Sequence, residues 1–404
     1  MADIDGKLSR VQKLNTVFTP SAPVSRRDAF SGRIDQIFKI TGAIFQPGKH
    51  VVLYGERGVG KTSLANILSD LLITEGEKSR DFAVRVNCSS DDNFKSIWTR
   101  VFQALAVETP EKWTYGSPNP DEIRMLLQGV KPPMVVVLDE YDRVDDDEAL
   151  SLMADTIKAL SDHLVQTKVV LVGVSDSIED LIGEHESVKR AIEEVQMPRM
   201  LPGEIRDIVT RGFALVKMTV QPQALTRIVK LAEGLPTYAH SLSLEAGTAA
   251  IQDDRDEVGL NDVERAVKEA VNAKHSTAAA YYKAIQSSRP ENLFAQVLAA
   301  CALASKNQLG YFAPGAVRDP ISKIMGRAFD IPAFSRHLSE FIGEERGSVL
   351  QRSGSPRNYQ YRFRDPQMQP FAILAALSNG HIPASFEAEL FKIEDDDWHM
   401  AGLG

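Results

Sequence analysis

The chain has 404 residues, 43 % of them hydrophobic and 25 % charged, which supplies apolar material for several packed cores and excludes a mostly disordered chain. Its formal net charge of −9 excludes nucleic-acid binding by bulk electrostatics, so any such contact needs a local basic patch. Two distant cysteines, Cys88 and Cys301, fit neither a disulfide framework nor a zinc knuckle. The opening MADIDGKLSR lacks the basic start and apolar stretch of a signal peptide, and no apolar run approaches the roughly 18 residues that span a bilayer. A cytoplasmic setting is expected.

Residues 1–25 are polar and end in Thr19-Pro20-Ser21-Ala22-Pro23, which reads as an extended N-terminal arm. From there to about residue 202, apolar runs at 50–54, 82–86, 134–138, 168–174 and 195–197 alternate with amphipathic helical patterns. Runs without polar alternation, separated by helices, predict an α/β unit over 26–202 whose parallel sheet is buried on both faces. After Pro202 the strand signal stops. Segments 203–217, 222–233, 236–252 and 261–275 read as helices, the last with Asn261 as N-cap, and make an all-α unit over 203–280.

A block over 288–380 carries helical patterns near 291–304, 315–326 and 331–343, then strand-like runs at 348–352 and 358–364 around Ser353-Gly354-Ser355-Pro356. Three helices followed by a hairpin predict a winged-helix domain. Residues 381–404, with Glu394-Asp395-Asp396-Asp397, read as a solvated acidic tail.

The strongest motif is Gly55-Glu56-Arg57-Gly58-Val59-Gly60-Lys61-Thr62, a full P-loop match between a strand and a helix that begins at Ser63. Its glycines let backbone N–H groups turn inward around phosphate oxygens, and the helix N-terminus adds to that field. Residues 55–63 are therefore the candidate nucleotide-binding segment. Lys61 is expected to reach the β- and γ-phosphates and the Thr62 hydroxyl to ligate Mg²⁺. In Met134–Asp142 (MVVVLDEYD), an apolar strand ends in Asp139, a second candidate for the magnesium shell. Glu140 follows and is the candidate general base that polarises the attacking water. ATP and Mg²⁺ are the expected cofactors, and hydrolysis the expected reaction.

These residues resemble the AAA+ ATPases, in particular the origin-recognition initiator ATPases and the related STAND switch ATPases. The resemblance covers about residues 25–370 and implies a P-loop AAA+ sheet, a helical lid and a C-terminal winged helix. Phe30-Ser31-Gly32-Arg33 looks like the family's Gly-Arg motif, which places Arg33 near the adenine. Asn87, ending VRVNC, stands where many members restrain the catalytic glutamate, and it fits an ordinary strand-end turn residue equally well. Ser175 or Asp176 occupies the position of the sensor 1 residue, and the same Ser-Asp-Ser run also suits a helix N-cap.

Arg190 is similar in position to the family's arginine finger, which would complete a neighbouring subunit's site; Lys189 and Arg199 are rivals, as is a merely solvated role. The lid stretch Gly234-Leu235-Pro236-Thr237-Tyr238-Ala239-His240 lacks the initiators' sensor 2 arginine. It resembles instead the Gly-x-Pro motif of STAND ATPases, whose proline, here Pro236, contacts the base. That departure implies slow turnover with the nucleotide as a conformational latch. His240 is either a substitute cation or a structural histidine.

Segment 316–364 holds nine Lys/Arg against five Asp/Glu, a local +4 inside a chain of −9. Strand alternation puts Tyr359, Tyr361 and Phe363 on one face and Arg362 and Arg364 on the other, which favours the aromatics as core. The winged helix is expected to contact either duplex DNA or a protein partner. The implied assembly is a homo-oligomer acting as an ATP-gated switch; the alternative is a signalling or anti-phage defence ATPase that regulates a separately encoded effector. Residues 108–120 form a Pro/Gly-rich insertion whose Trp113 and Tyr115 either meet a partner or pack locally.

Overall fold

The structure, a computed structural model, describes residues 2–23, 32–72, 83–132, 134–183, 186–273, 275–287, 292–307, 309–355 and 358–392. Contacts divide it into two units, Met1–Ala22 with Arg57–Val59 and Arg199–Gly404, and Pro23–Glu56 with Gly60–Pro198. The chain opens on α1 (Ala2–Val17), which belongs to the first of these.

The α/β unit begins with α2 (Ile34–Phe45), followed by β1 (His50–Gly55), α3 (Lys61–Leu72), β2 (Ala83–Asn87), α4 (Phe94–Ala104) and α5 (Pro120–Gly129). It continues through β3 (Val135–Asp139), α6 (Asp147–Asp162), β4 (Lys168–Val174), the short α7 (Glu179–Ile182) and α8 (Glu186–Lys189), and β5 (Ile192–Gln196). The sheet order is β2-β3-β4-β1-β5 and every pairing is parallel, as the unalternating apolar runs predict. All five residues of β3 and the first six of β4 are buried. Helix starts follow local chemistry: Asn93 and Ser96 form a reciprocal capping box on α4, Asn119 caps α5 ahead of Pro120, and the Asp146 carboxylate accepts from Glu148 and Ala149. Trp98, Phe102 and Trp113 pack into the core, and Trp113 Nε1 donates to Glu122 at 3.1 Å, so this insertion packs its own tryptophan while Tyr115 stays exposed.

In the other unit come α9 (Pro202–Leu215), β6 (Thr219–Val220), α10 (Pro222–Ala232), α11 (Pro236–Gln252), β7 (Glu257–Val258) and α12 (Leu260–Ala273). Three of these helices start with proline at N1, where the missing N–H costs nothing. Two details differ from expectation. A two-residue parallel pairing of β6 with β7 interrupts the helices, and α12 opens at Leu260, where Asp262 rather than Asn261 accepts the free Gly259 N–H at 2.8 Å.

After α13 (His275–Ile285) follow α14 (Phe294–Leu303), α15 (Arg318–Met325), α16 (Ile331–Glu340) and the antiparallel pair β8 (Leu350–Ser353) and β9 (Gln360–Phe363). Tyr361 and Phe363 are buried; of Ile331, Phe334, Leu338 and Phe341, whose 3–4 spacing predicts one interior face, the last three are buried and Ile331, in the first turn of α16, is exposed. The expected three helices and hairpin are therefore present in order. The hairpin residues Pro356 and Arg357 lie outside the described residues. α17 (Met368–Ser378), buried over Met368–Ala376, was not anticipated.

Two terminal expectations are corrected. The arm over 1–25 is not extended: α1 is a 16-residue helix whose Leu14, followed by Phe18, is buried against α9 and α11. A Cβ on Gly247 would lie 2.8 Å from Leu14 Cδ2, and one on Gly212 would collide with the Phe18 ring, so two glycines form the notches. Thr19 N donates to His240 Nδ1 at 3.2 Å, and Lys7 pairs with Asp254 at 2.6 Å. Polar composition concealed the helix because only one narrow stripe of it is apolar. The acidic tail over 381–404 is likewise wrong in its first part: α18 (Ala384–Leu390) buries Phe386, and its Glu387 pairs with Arg227. Glu394–Asp397 lie outside the described residues.

Phe18→Ala should cost about 3–5 kcal/mol by emptying its notch, and Gly212→Ala should destabilise by forcing the ring out; urea unfolding of both variants measures this.

Candidate functional site

β1 and β5 end side by side, Tyr54 opposite Gln196, and the chain turns at Gly55 with φ 150°. A Cβ there would collide with the Met197 carbonyl, so the turn admits glycine alone. Gly58 at φ 87° and Gly60 at φ 95° continue the loop in conformations that side chains disfavour, and Val59 is buried. α3 begins at Lys61. The Lys61 ammonium reaches back to donate to Gly55 O at 2.9 Å and Glu56 O at 2.8 Å, lying across the loop it belongs to. Thr62 and Ser63, both half-buried, occupy the first turn of α3.

Asp139 closes β3, directly in register with Asn87 on β2, with its carboxylate only 3 % exposed. Its Oδ1 accepts from Glu140 N at 2.9 Å, while Oδ2 makes no hydrogen bond and faces Arg85 at 3.1 Å. A buried carboxylate at the same strand-finishing edge of the sheet as the glycine loop and the threonine at a helix start fits a Mg²⁺-nucleotide. Glu140 sits in the left-handed region at φ 56°, is half exposed, and pairs with Arg143 at 2.9 Å. The following turn is tied down by Asp142, whose Oδ1 accepts from Val174 N at 2.8 Å.

Arg85 is the residue that sequence reasoning missed. It faces Asp139, donates to Asn66 Oδ1, and donates through Nε to Asn87 Oδ1 at 3.1 Å. The signal was an arginine two residues before a strand end, on the same face as Asn87 by strand alternation. Asn87 is correspondingly engaged by Arg85 rather than by Glu140, which the structure does not bring to it.

At the end of β4, the Ser175 hydroxyl donates to Ser177 O at 2.5 Å and accepts from Ser177 N at 3.1 Å, a local turn. Asp176 is half-buried in that turn. Arg33, buried at φ 63°, caps α2 from the left-handed region; Phe30 and Ser31 lie outside the described residues. Arg190, its side chain 73 % exposed, pairs with Asp162 at 2.6 Å. Lys189 pairs with Glu179 at 3.3 Å.

Arg199 is no exposed finger: its Nη1 donates to Gln369 Oε1 at 2.6 Å and Glu233 O at 3.3 Å. Gln369 in turn donates to Glu233 Oε2 at 2.5 Å, and burial pushes the Glu233 carboxyl up. Beside this cluster, Gly234 at φ 72° leads to the half-buried Pro236 at N1 of α11. His240 does not stand in for a cation, because burial lowers it to about 4 and leaves it neutral at pH 7.

Residues 46–182 match a protein-family model described as "AAA domain". This segment is similar to an AAA domain. Among curated relatives, the chain is 29 % identical over 157 residues to the ORC1-type DNA replication protein 11 of Haloarcula marismortui, covering 37 % of each chain. It is 25 % identical over 238 residues to the ORC1-type DNA replication protein 8 of Halobacterium salinarum, covering 54 % of this chain and 59 % of that one. The matches thus span between about a third and three fifths of those relatives' length. A solved Walker-type ATPase of Pyrococcus abyssi shares the fold with a TM-score of 0.53 at 17 % identity, over 89 % of this chain and 99 % of that one. Over the matched residues the chain is similar to ORC1-type DNA replication proteins, and no described helix is long and apolar enough to cross a membrane.

Arg85→Leu should lower the stability of the nucleotide-free AAA+ unit by about 1–3 kcal/mol, because it leaves Asp139 buried without a counter-charge. Mg²⁺-nucleotide should then raise the melting temperature more than in the parent; a calorimetric scan with and without Mg-ATP reads both. The pH dependence has a fixed sign. An unfolded histidine titrates near 6.5, whereas His240 folds at about 4, so its contribution is complete above pH 6.5 and is lost as pH falls toward 4. His240→Asn should flatten that acid limb by up to about 1.4 kcal/mol per pH unit, measured by urea unfolding across pH 4–7.

Proposed function

We propose that this chain is a Mg-ATP-dependent ATPase that assembles with further copies of itself in the ATP state and contacts duplex DNA through its C-terminal hairpin region. The observation that carries the reading is the presence at the finishing ends of the strands of the P-loop lysine, a buried aspartate ion-paired only to Arg85 and an adjacent glutamate.

Lys61 would exchange its two loop carbonyls for the β- and γ-phosphates, and the loop amides would take the remaining phosphate oxygens. Thr62 and Asp139 would hold Mg²⁺, whose charge neutralises the phosphate oxygens when bound. Glu140 would leave Arg143 to accept a proton from the attacking water, a role typically worth about 10²–10⁴-fold. Arg190 would act on the nucleotide of another copy. Asp176 and Asn87 are proposed to order the water and the glutamate, Arg33 and Pro236 to meet the base. A lid without a cationic residue in 234–240 supports slow turnover and a latch-like nucleotide.

Support for DNA contact comes from the local charge of 316–364 and from relatives described as DNA replication proteins. Part of that charge is already engaged: Arg318 pairs with Asp330, Arg336 with Glu340, Lys323 with Asp319 and Glu389. Arg352, exposed on β8, lies 4.0 Å over the Tyr359 ring, and the exposed Arg364 follows β9.

The test is mass by light scattering with ADP or a non-hydrolysable ATP analogue, with and without a duplex, alongside hydrolysis assays. Lys61→Ala should lose nucleotide binding; retained tight binding overturns the P-loop assignment. Glu140→Gln should bind ATP but turn over about 10²-fold more slowly or worse. Arg190→Ala should hydrolyse poorly and recover when mixed with Asp139→Asn chains that retain their own arginine. Assembly in ATP that ignores duplex at low salt would replace the DNA reading with that of a signalling or defence switch acting on a protein partner.

A further inference from the structure

An arginine on an open sheet edge normally leaves its charged head in water. Arg85 stands on β2, which pairs with β3 alone, yet its side chain is only 31 % exposed and each guanidinium nitrogen is engaged. Strand register explains the reach. Asn87 lies opposite Asp139 and Arg85 opposite Val137, so Arg85 stands diagonally behind Asp139 on the same face of the sheet. A long side chain spans that diagonal.

Two of its three contacts are hydrogen bonds to neutral amides. Nε donates to Asn87 Oδ1 at 3.1 Å, and Nη1 donates to Asn66 Oδ1. The third brings Nη2 to 3.1 Å from Asp139 Oδ2, an oxygen that accepts no hydrogen bond. It is therefore a charge contact without hydrogen-bond alignment. Arg85 is anchored on Asn66 and Asn87, and it only faces Asp139.

Asn66 sets this fork beside the expected metal ligands. It follows Thr62 by four residues on α3, so both lie on one face of that helix, a turn apart. A guanidinium held by Asn66 and facing Asp139 thus adjoins the place where Thr62 and Asp139 would share one ion.

We propose that Arg85 is a resident rival of Mg²⁺ at Asp139, a fixed positive charge that limits how much the metal adds to nucleotide affinity. The proposal rests on the reading of Thr62 and Asp139 as metal ligands. An unanchored arginine would swing into water when a divalent ion arrived. Held at two points, Arg85 stays: it neutralises Asp139 before the ion arrives and repels the ion afterwards. An arginine that served only to neutralise a buried carboxylate would change stability when lost, without strengthening the metal-bound state.

The test is calorimetric titration of a non-hydrolysable ATP analogue into the full chain, once with Mg²⁺ and once with EDTA. The parent is compared with Arg85→Gln and with Asn66→Ala, which removes one anchor and suits a helix. In the parent, Mg²⁺ should tighten binding. With Mg²⁺ present, Arg85→Gln should bind about tenfold more tightly than the parent and Asn66→Ala about threefold. Metal-free affinity should stay within about twofold in both, which also certifies folding. Should Arg85→Gln fail to bind metal-free nucleotide, Asn66→Ala decides. Unchanged or weaker affinity with Mg²⁺ overturns the rivalry and leaves the metal-ligand reading standing. Weaker metal-free binding with no gain in Mg²⁺ also overturns it, because Arg85 would then be attracting phosphate. A parent whose affinity ignores Mg²⁺ overturns both.

Discussion

A parallel sheet covered on both faces can hold charge only where its strands end. In this chain β3 and β4 are apolar and buried almost throughout, so their functional groups are displaced to the termini. Asp139 and Ser175 stand at or just beyond the finishing ends, and the P-loop springs from the end of β1. The charged residues within the strands of this sheet, Arg85, Glu193 and Glu194, lie on the edge strands β2 and β5, where one side is open to water. The same constraint leaves Arg190 at the starting end, well separated from the loop of its own chain.

At rest, each charge of the candidate site is held by a partner it would have to exchange. Lys61 lies on two loop carbonyls, Glu140 on Arg143, and Asp139 opposite Arg85. These partners keep buried and half-buried charges from standing alone, which is costly in a low-dielectric setting. They also set what a nucleotide must displace. The Glu140–Arg143 pair is half exposed and correspondingly weak, whereas the carboxylate of Asp139 is almost wholly buried.

The helical unit uses a different economy. Glycines at 212 and 247 allow α1 and the following Phe18 to sit down on α9 and α11, and a neutral His240 accepts from the Thr19 amide just beyond the helix. Gln369 on α17 ties Arg199, Glu233 and the Ala302 carbonyl together, so the turn at Gly234 is anchored to a helix more than a hundred residues later. That network explains why Arg199 is a structural residue and Arg190 an exposed one, a distinction that two arginines nine positions apart did not reveal in the chain.

The amino-acid sequence by itself determined four of the five strands, the P-loop with its Lys61 and Thr62, and the Asp139-Glu140 pair at a strand end; the fifth strand, expected at 195–197, runs over Ile192–Gln196 because its two glutamates, on an edge strand, interrupt the apolar run. These are local signals: uninterrupted apolar runs, glycines where φ is positive, and prolines at helix starts. Only the tertiary structure decided the rest. α1 and α18 depend on notches and ion pairs offered by residues far away in the chain, so their polar composition misleads. Arg85 opposite Asp139, Asn87 turned toward Arg85, and the neutral state of His240 come from strand register and burial. Strand register and burial are properties of pairs of segments, and a single segment does not carry them.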